Sequence, residues 1–239
     1  MKKLTNFRNK YSGRCFIVGN GASLNRTPLF TRLENEKTFG MNMISMIFER
    51  TSWRPDFMVV TTTALGDKRY RDHIISGIKE AELSFVWDKF RDDPEVGALS
   101  NVVFIPVIHT EHYEPEDATD EFWPKVMGRG ISKFATGTFA VLQLAVYLGF
   151  NPIYLVGVDL DWKTFRGSND PNHFDPGYNS RSHTQEKYQE ITRAQTRAYE
   201  IARKATDKAG IEIFNATVGG KLEVFPRVKF ETLFNGWDE

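Results

Sequence analysis

The sequence predicts a single α/β domain over residues 1–239, built on a mostly parallel sheet with helices on both faces. Short apolar runs bounded by turn residues recur along the chain, and segments of helical character separate most of them, which is the rhythm of βαβ units. In addition, residues 184–209 place apolar or small side chains every three or four positions, as an amphipathic helix does.

The predicted strands are short and apolar. They cover residues 14–18, 38–41, 56–61, 83–87, 102–106, 153–158 and 211–214. In an open parallel sheet the carboxyl ends of neighbouring strands converge on one ligand crevice, so polar residues at these ends are the first candidates for a site.

Two helices are predicted between the strands. Residues 138–148 are apolar nearly all round, so we expect a central helix that is buried on more than one side. In the helix over 184–209, Gly210 stands where a C-terminal cap belongs. The segments 111–132 and 163–182 break this regularity and are predicted to be excursions that act as a lid or an interface.

Composition excludes several classes of partner. The 31 basic and 31 acidic side chains give a formal net charge of zero, so no global field attracts nucleic acid. The lone Cys15 excludes an internal disulfide, and no stretch approaches the roughly 20 apolar residues of a membrane span. We therefore expect a cytoplasmic protein. A peripheral contact of the basic N-terminal arm with the inner membrane and a homo-oligomer both stay open.

The first strand ends in the stretch CFIVGNGASLN, residues 15–25. Gly19 and Gly21 permit close backbone approach, and a helix opening at Ser23 would offer free N–H groups to a phosphate. Asn20 adds an amide that could bond a ligand directly. The stretch lacks the third glycine of the dinucleotide fingerprint and the lysine of a Walker loop. A plain glycine turn capped by Ser23 is the alternative.

Two further strand and helix ends carry polar residues. Asn42 follows the second strand, where it could face the same cleft as Asn20 or simply cap a helix beginning at Met43. Thr136, Gly137 and Thr138 begin the central helix, which offers hydroxyls, backbone donors and the positive end of the helix dipole to an anion. The alternative is that Thr136 or Thr138 only caps the helix.

Acidic and imidazole side chains follow the strand over 153–158. Asp159 and Asp161 stand at its carboxyl end, where carboxylates could bind a metal ion or a ribose hydroxyl. The polar loop after them carries His173, Tyr178 and His183 and could fold over the cleft. A histidine there can take a proton from an attacking hydroxyl.

These segments together resemble a known family. The set GNGASL, GMN, RPDF, ATGTFAVLQLAVYLGFNPIYLVGVD, NHFDPGY and NATVGGKLEVFPRV resembles the DUF115 family, also called the 6-hydroxymethylpterin pyrophosphokinase MptE-like family, in the form encoded by bacterial surface-polysaccharide loci. The resemblance extends from about residue 14 to residue 234. The strand over 153–159 and the terminal NATVGGKLEVFPRV are its specific parts.

The same skeleton resembles the bacterial sialyltransferases of glycosyltransferase family 42, which implies a Rossmann-like, GT-A-variant fold with a mobile lid. By that resemblance, Asn20 and Asn42 would hold the CMP portion of a donor, aided by the amides of residues 136–138. Asp159 would hold a ribose hydroxyl or order the site. Either His173 or His183 would deprotonate the acceptor, and His173 is preferred because NHF belongs to the DUF115 match.

The implied function is transfer of a nonulosonate sugar from a CMP donor to a glycan or lipid-linked acceptor, by a single inverting displacement that needs no metal cofactor. Two alternatives stay open. One is diphosphate transfer from ATP to a hydroxymethylpterin, which would need Mg²⁺ and well-placed carboxylates. The other is a non-catalytic, nucleotide-binding subunit of a polysaccharide assembly system.

Overall fold

The fold is a parallel sheet with helices on both faces. The computed structural model describes residues 2–27, 32–108, 118–123, 130–167, 169–179 and 182–234. Within these ranges the strands are β1 (Cys15–Val18), β2 (Lys37–Met41), β3 (Phe57–Val60), β4 (Leu83–Trp87), β5 (Val102–Ile105), β6 (Val107–Ile108), β7 (Ile131–Ser132), β8 (Ile153–Val156) and β9 (Ile213–Asn215).

Seven of the described strands form one sheet in the order β5–β4–β3–β2–β1–β8–β9, with every neighbouring pair parallel. The remaining two, β6 and β7, pair with each other. Each predicted apolar run overlaps one strand of the large sheet, so the predicted fold class is confirmed. The chain builds β1 to β5 outward in one direction and then returns to place β8 on the other side of β1, which makes the β1/β8 boundary the topological switch point.

Helices cover both faces of this sheet, which is why β1 and β3 are apolar at every position rather than at alternate positions. All four residues of β1 are buried. Side chains of α1 (Lys68–Glu80) join the core on one face, and those of α3 (Gly137–Leu148) and α4 (Gln185–Ala209) join the core on the other. A single turn, α2 (Pro94–Gly97), precedes β5.

The two predicted helices form as expected. The central helix α3 is buried over most of its length, begins at the cap residue Thr136 and ends at Gly149, which adopts a left-handed conformation with φ 103°. The amphipathic helix α4 begins after Thr184, whose side chain accepts a hydrogen bond from the Lys187 N–H, and ends at Gly210 with φ 68°. The cap positions read from the sequence are therefore confirmed.

The two irregular segments pack against the domain where the structure describes them. In the segment 111–132, residues 111–117 and 124–129 lie outside the described residues. The ring of Phe122 packs edge-on against Phe134, with 5.0 Å between the ring centroids. Arg197 of α4 donates a hydrogen bond to the Ala118 carbonyl. In the segment 163–182, residues 168, 180 and 181 lie outside the described residues. The rest of that segment docks on the loop after β1, where the Phe174 N–H donates to the Asn20 carbonyl at 3.0 Å.

None of the helices in the described ranges is long and apolar enough to span a bilayer.

A bidentate ion pair joins α1 to α2. The Arg71 guanidinium donates to both carboxylate oxygens of Asp93 at 2.8 and 2.9 Å, and the same carboxylate caps α2 by accepting the N–H groups of Glu95 and Val96. Hydrogen bonding to Arg71 lowers the pKa of Asp93 to about 2. The carboxylate therefore stabilises the fold while it is ionised.

We expect Asp93→Asn to remove part of the acid sensitivity of folding. Because the pKa is lower in the folded state than in the unfolded state, the contribution is complete above about pH 5 and is lost as the pH falls towards 2. Between pH 5 and pH 3 the free energy of unfolding of the wild type should fall by about 1 kcal/mol more than that of the variant. Urea denaturation at both pH values measures this difference. Asp72→Asn, which removes an exposed carboxylate from α1, should behave as the wild type. An Asp93→Asn variant with the wild-type pH dependence would contradict the assignment.

Candidate active site

A cavity of about 280 Å³, here called the central cavity, lies where the chain leaves β1, β2 and β8. This is the carboxyl edge of the sheet at its topological switch point, the usual place for a ligand in this class of fold. The predicted residues that line it are Asn20, Gly21, Asn42, Thr136, Gly137, Thr138, Asp159, Asp161, His173 and Tyr178. Gly19, Ser23 and His183 do not line it.

The glycines after β1 are explained by packing between two chain segments. The Gly21 N–H donates to the Gly157 carbonyl at 2.9 Å, so the loops after β1 and β8 lie side by side. A Cβ at Gly19 would overlap the carbonyl oxygen of Gly157, and a Cβ at Gly21 would lie 2.7 Å from the carboxyl carbon of Asp159. Packing within the fold therefore accounts for the absent side chains of Gly19 and Gly21. The expectation that a phosphate approaches the backbone there stays a prediction.

Ser23 is a structural residue of this loop. The segment Ala22–Arg26 is a 3₁₀ segment of five residues, so the helix expected to open there does not form. The Ser23 side chain is fully buried, its N–H donates to Asp159 Oδ2 at 2.9 Å, and its hydroxyl donates to Asp159 Oδ1. Both donors of Ser23 thus serve Asp159, and the prediction that they face a phosphate is corrected. Asp159 in turn orders the site, one of the two roles expected for it.

Two asparagine amides meet at the cavity, as predicted. The Asn20 Nδ2 group donates to the Met41 carbonyl at 3.2 Å, and its Oδ1 atom is buried without a hydrogen-bond partner. Asn42 adopts a left-handed conformation with φ 53°, and its Oδ1 atom accepts the Thr61 N–H at 3.2 Å. Asn42 is not the cap of the following 3₁₀ segment, whose cap position is Met43. The unpartnered oxygen of Asn20 is a polar atom that a ligand could satisfy.

The start of α3 forms another wall of the cavity. Thr136 is the cap residue, and its hydroxyl oxygen accepts the Thr138 N–H at 3.3 Å. The Thr138 hydroxyl lies 3.8 Å from the sulfur of Met41. Thr136 therefore caps the helix, and both threonines line the cavity. That this helix start binds an anion stays a prediction. Burial raises the pKa of the neighbouring Tyr199 to about 12, so its phenol stays protonated at neutral pH.

His173 forms the floor of the cavity with two partners. Its Nδ1 atom lies 2.7 Å from Asp170 Oδ2, and its ring stacks on Tyr178 with 4.0 Å between centroids and an interplanar angle of 3°. Residues Gly21 and His173 also form an isolated antiparallel bridge, which ties the histidine to the loop after β1. Asp170 and Tyr178 therefore fix the orientation of the ring, the backbone bridge fixes the position of the residue, and Nε2 is the nitrogen left for chemistry.

Asp170 is a residue that sequence reasoning missed. Its side chain is 0 % exposed, and its Oδ1 atom accepts the Asn172 N–H at 2.9 Å. Burial acts to raise the pKa of this carboxyl, but hydrogen bonding to His173 and Asn172 outweighs it, and the pKa lies below its ordinary value. The carboxylate is thus ionised beside the ring. The spacing of Asp170 and His173 by three residues was the one signal in the sequence for this pair.

His183 lies apart from the cavity. Its side chain is exposed, and its ring contacts Tyr188 edge-on at 5.5 Å. The sequence left open which of the two histidines is the candidate base. Of the two, His173 is the one that lines the central cavity.

Further residues line the central cavity without having been singled out in the sequence. Those with polar or aromatic side chains are Lys133, Trp162, Asn172, Gln195 and Tyr199. They come from the segment before α3, the loop after β8 and the face of α4, which are far apart in the chain. Burial lowers the pKa of Lys133. Among the described residues, Lys133 is the one lysine or arginine that lines this cavity.

The carboxylates near the cavity do not form a metal site in the part of the chain that the structure describes. No group of three or more potential ligands comes together there. Asp159 accepts from Ser23, and Asp161 pairs with Lys221 at 2.7 Å and Lys163 at 3.4 Å. Hydrogen bonding to Lys221 lowers the pKa of Asp161. Both carboxylates are therefore already engaged by other residues of the chain.

The fold is similar to that of solved sialyltransferases. The sialyltransferase CstII from Campylobacter jejuni, in complex with the substrate analogue cytidine-5′-monophosphate, is 14% identical; the alignment covers 90% of this chain and 84% of that chain, with a TM-score of 0.52. The same enzyme in complex with CMP-3FNeuAc is 15% identical over 90% and 85% of the two chains, with a TM-score of 0.50. The monofunctional α-2,3-sialyltransferase Cst-I from Campylobacter jejuni is 16% identical over 90% and 79%, with a TM-score of 0.51.

No protein-family model matches the chain, and no curated protein matches it. At identities of 14 to 16% the likeness to the solved enzymes establishes the Rossmann-like, sialyltransferase-type fold. The resemblance to the DUF115 family stays a prediction.

We expect Gly19→Ala to destabilise the protein in the absence of any ligand. The new methyl group would meet the Gly157 carbonyl, and overpacking of this kind costs about 1–3 kcal/mol of unfolding free energy. The matched control is Gly66→Ala, because a Cβ at Gly66 meets nothing within 4 Å. Urea denaturation of both variants measures the effect. A Gly19→Ala protein as stable as the wild type would contradict the packing explanation and favour a ligand as the reason for the glycine.

Proposed function

We propose that this chain is a glycosyltransferase that transfers a nonulosonate, sialic-acid-like sugar from a CMP donor to a glycan or lipid-linked acceptor. The observation that carries the proposal is the His173–Asp170 pair. A histidine held at Nδ1 by a buried carboxylate lines the same cavity as the amides of Asn20 and Asn42. That arrangement combines a general base with a polar cradle.

The nucleotide part of the donor is assigned to the walls formed by Asn20, Asn42 and the start of α3. The unpartnered Oδ1 atom of Asn20 suits an amino or hydroxyl group of the nucleotide. The N-terminal end of α3 and the Lys133 ammonium suit the phosphate, because the first carries the positive end of the helix dipole and the second is a cation. Solved structures with this fold that were crystallised with cytidine-5′-monophosphate and with CMP-3FNeuAc support this choice of nucleotide.

In the proposed reaction a hydroxyl oxygen of the acceptor attacks the anomeric carbon of the donor sugar. The bond between that carbon and the phosphate oxygen of CMP breaks, and CMP leaves with the bonding electrons. The hydroxyl proton passes to Nε2 of His173. One displacement inverts the anomeric configuration, and the residues named here supply the base and the positive surroundings of the leaving phosphate.

Asp170 is a positioning residue in this proposal. Its contact with Nδ1 keeps a proton on that nitrogen and so leaves Nε2 as the acceptor of the proton. When the ring becomes an imidazolium, the ionised carboxylate balances its charge. Tyr178, stacked on the ring, keeps the imidazole from turning away.

Neither alternative function gains an observation of its own. Diphosphate transfer needs Mg²⁺, and the carboxylates near the cavity are engaged by Ser23, Lys221 and Lys163. A non-catalytic subunit would use the nucleotide cradle but would have no need of the His173–Asp170 pair.

We expect CMP to raise the melting temperature of the wild type and not that of Asn20→Ala. A ligand at about a hundred times its dissociation constant adds roughly 2.7 kcal/mol, which is about 5 to 10 °C for a domain of this size. Differential scanning fluorimetry with CMP, UDP and ATP with Mg²⁺ measures the shift. Asn6→Ala is the matched control because Asn6 is exposed and does not line the cavity. A shift with ATP and Mg²⁺ alone would replace the proposal with diphosphate transfer.

We expect His173→Ala to lower kcat/KM for release of CMP from CMP-nonulosonates by about 10²- to 10⁴-fold, the usual contribution of a general base. His183→Ala should stay within about twofold, because its ring lies outside the central cavity. CMP binding by both variants should match that of the wild type, which separates lost chemistry from lost binding. If His173→Ala turns over as fast as the wild type, His173 is not the base. If the wild type binds CMP but releases none from CMP-nonulosonates, the non-catalytic subunit becomes the better assignment.

A further inference from the structure

A second cavity of about 370 Å³, here called the side cavity, adjoins the central one. The two cavities share Leu160, Asp161 and Trp162 of the loop after β8. The other side of the side cavity is one face of α4, with Tyr188 and Arg193 among its residues. A molecule that fills both cavities would pass along Trp162.

The Trp162 ring is held rigidly between the two cavities. It stacks on Tyr188 with 5.6 Å between centroids and an interplanar angle of 9°, and its Nε1 group donates to Gln195 Oε1 at 3.0 Å. On the side of the central cavity, the centroids of the Trp162 and His173 rings lie 5.7 Å apart in an edge-on arrangement with an interplanar angle of 63°. An occupant of the side cavity that reaches past this indole would therefore bring its nearest polar group to the proposed base.

The polar side chains of the side cavity suit a sugar. Gln185 and Gln189 carry amides that both donate and accept hydrogen bonds, and Thr192 adds a hydroxyl whose hydrogen already serves the Tyr188 carbonyl at 2.8 Å. An aromatic wall beside amides and a hydroxyl matches a ring that has apolar C–H faces and hydroxyls at its edge.

One cation that lines the side cavity, Arg193, has no anionic partner among the described residues. Asp161 and Lys221 pair at 2.7 Å and so offset each other. Arg193 forms no ion pair with another described residue, whereas Lys187 and Arg197 of the same helix pair with Glu190 and Glu200. A free guanidinium at the wall of a cavity favours a planar or multidentate anion, such as a carboxylate or a phosphate.

We infer that the side cavity is the acceptor subsite and that it selects an acidic acceptor, a sugar that carries a carboxylate or a phosphate. The sugar ring would lie along Trp162, its anionic group would bind Arg193, and the hydroxyl to be modified would face His173. This inference rests on the proposed function and names the class of acceptor for it.

The test is a titration of the full chain, with CMP present at saturation, by saturation-transfer difference NMR. The probes are lactose, 3′-sialyllactose and lactose 6-phosphate, so that the neutral, carboxylate and phosphate arms are separate. We expect at least one acidic sugar to bind more tightly than lactose to the wild type. Arg193→Gln should weaken that acidic sugar about tenfold and leave lactose within about twofold, because a charge-assisted contact is lost while the stacking surface remains.

Lys208→Gln is the matched control, since it removes an exposed cation from the far end of the same helix. Equal weakening by Lys208→Gln and Arg193→Gln would mean a general charge effect and would overturn the inference. Equal binding of all three sugars to the wild type, or no binding of any of them, would overturn it too. The melting-temperature experiment with CMP reports separately on the proposed function. If CMP binds but acidic sugars are not preferred, only the acceptor inference fails. If CMP does not bind, the proposed function fails.

Discussion

The site depends on the close approach of the two loops that leave β1 and β8 at the topological switch point. Gly19 and Gly21 allow the backbones to touch, and the Asp159 carboxylate joins them by accepting both donors of Ser23. A carboxylate that leaves bulk water needs such donors, because an unpaired buried charge is strongly destabilising. With the two loops fixed side by side, Asn20 and Gly21 on one and Val158 and Asp159 on the other become opposite walls of a single cavity.

The position of His173 depends on the same contact between the loops after β1 and β8. The segment that carries it is irregular, yet the bridge between Gly21 and His173 and the bond from the Phe174 N–H to the Asn20 carbonyl attach it to the loop after β1. Two of its side chains, Phe174 and Tyr178, are buried in the core on that face of the sheet. A loop anchored in this way can present a base with the precision that catalysis requires, whereas a loop held only at its ends could not.

The sequence was informative where periodicity and end signals are local. The seven strands, the buried helix α3 and both ends of α4 were all predicted from spacing, caps and turn residues. The sequence was uninformative where one residue's role is set by a partner far along the chain. Gly19 looked like part of a ligand turn because Gly157, its actual neighbour, is more than a hundred residues away. For the same reason Asp170 was missed and His183 was kept as a candidate: a side chain's exposure and its partners follow from tertiary packing, which no short motif contains.

The balance of charge around the central cavity follows from these same contacts and bears on the kind of ligand it can hold. Three acidic residues lie in or beside it, which by composition alone would repel an anion. Both carboxylate oxygens of Asp159 accept hydrogen bonds from Ser23, and Asp161 forms ion pairs with two lysines. The Asp170 carboxylate contacts Nδ1 of His173. Each carboxylate is therefore engaged by other residues of the chain, whereas Lys133 forms no ion pair with another described residue, and the first residues of α3, at the positive end of its dipole, line the cavity. A cavity of this kind favours an anionic ligand at one wall and still keeps, at its floor, an imidazole whose positive form is balanced by its own carboxylate. Those two properties are hard to combine in one small site, and here the separate engagement of each acid makes them compatible.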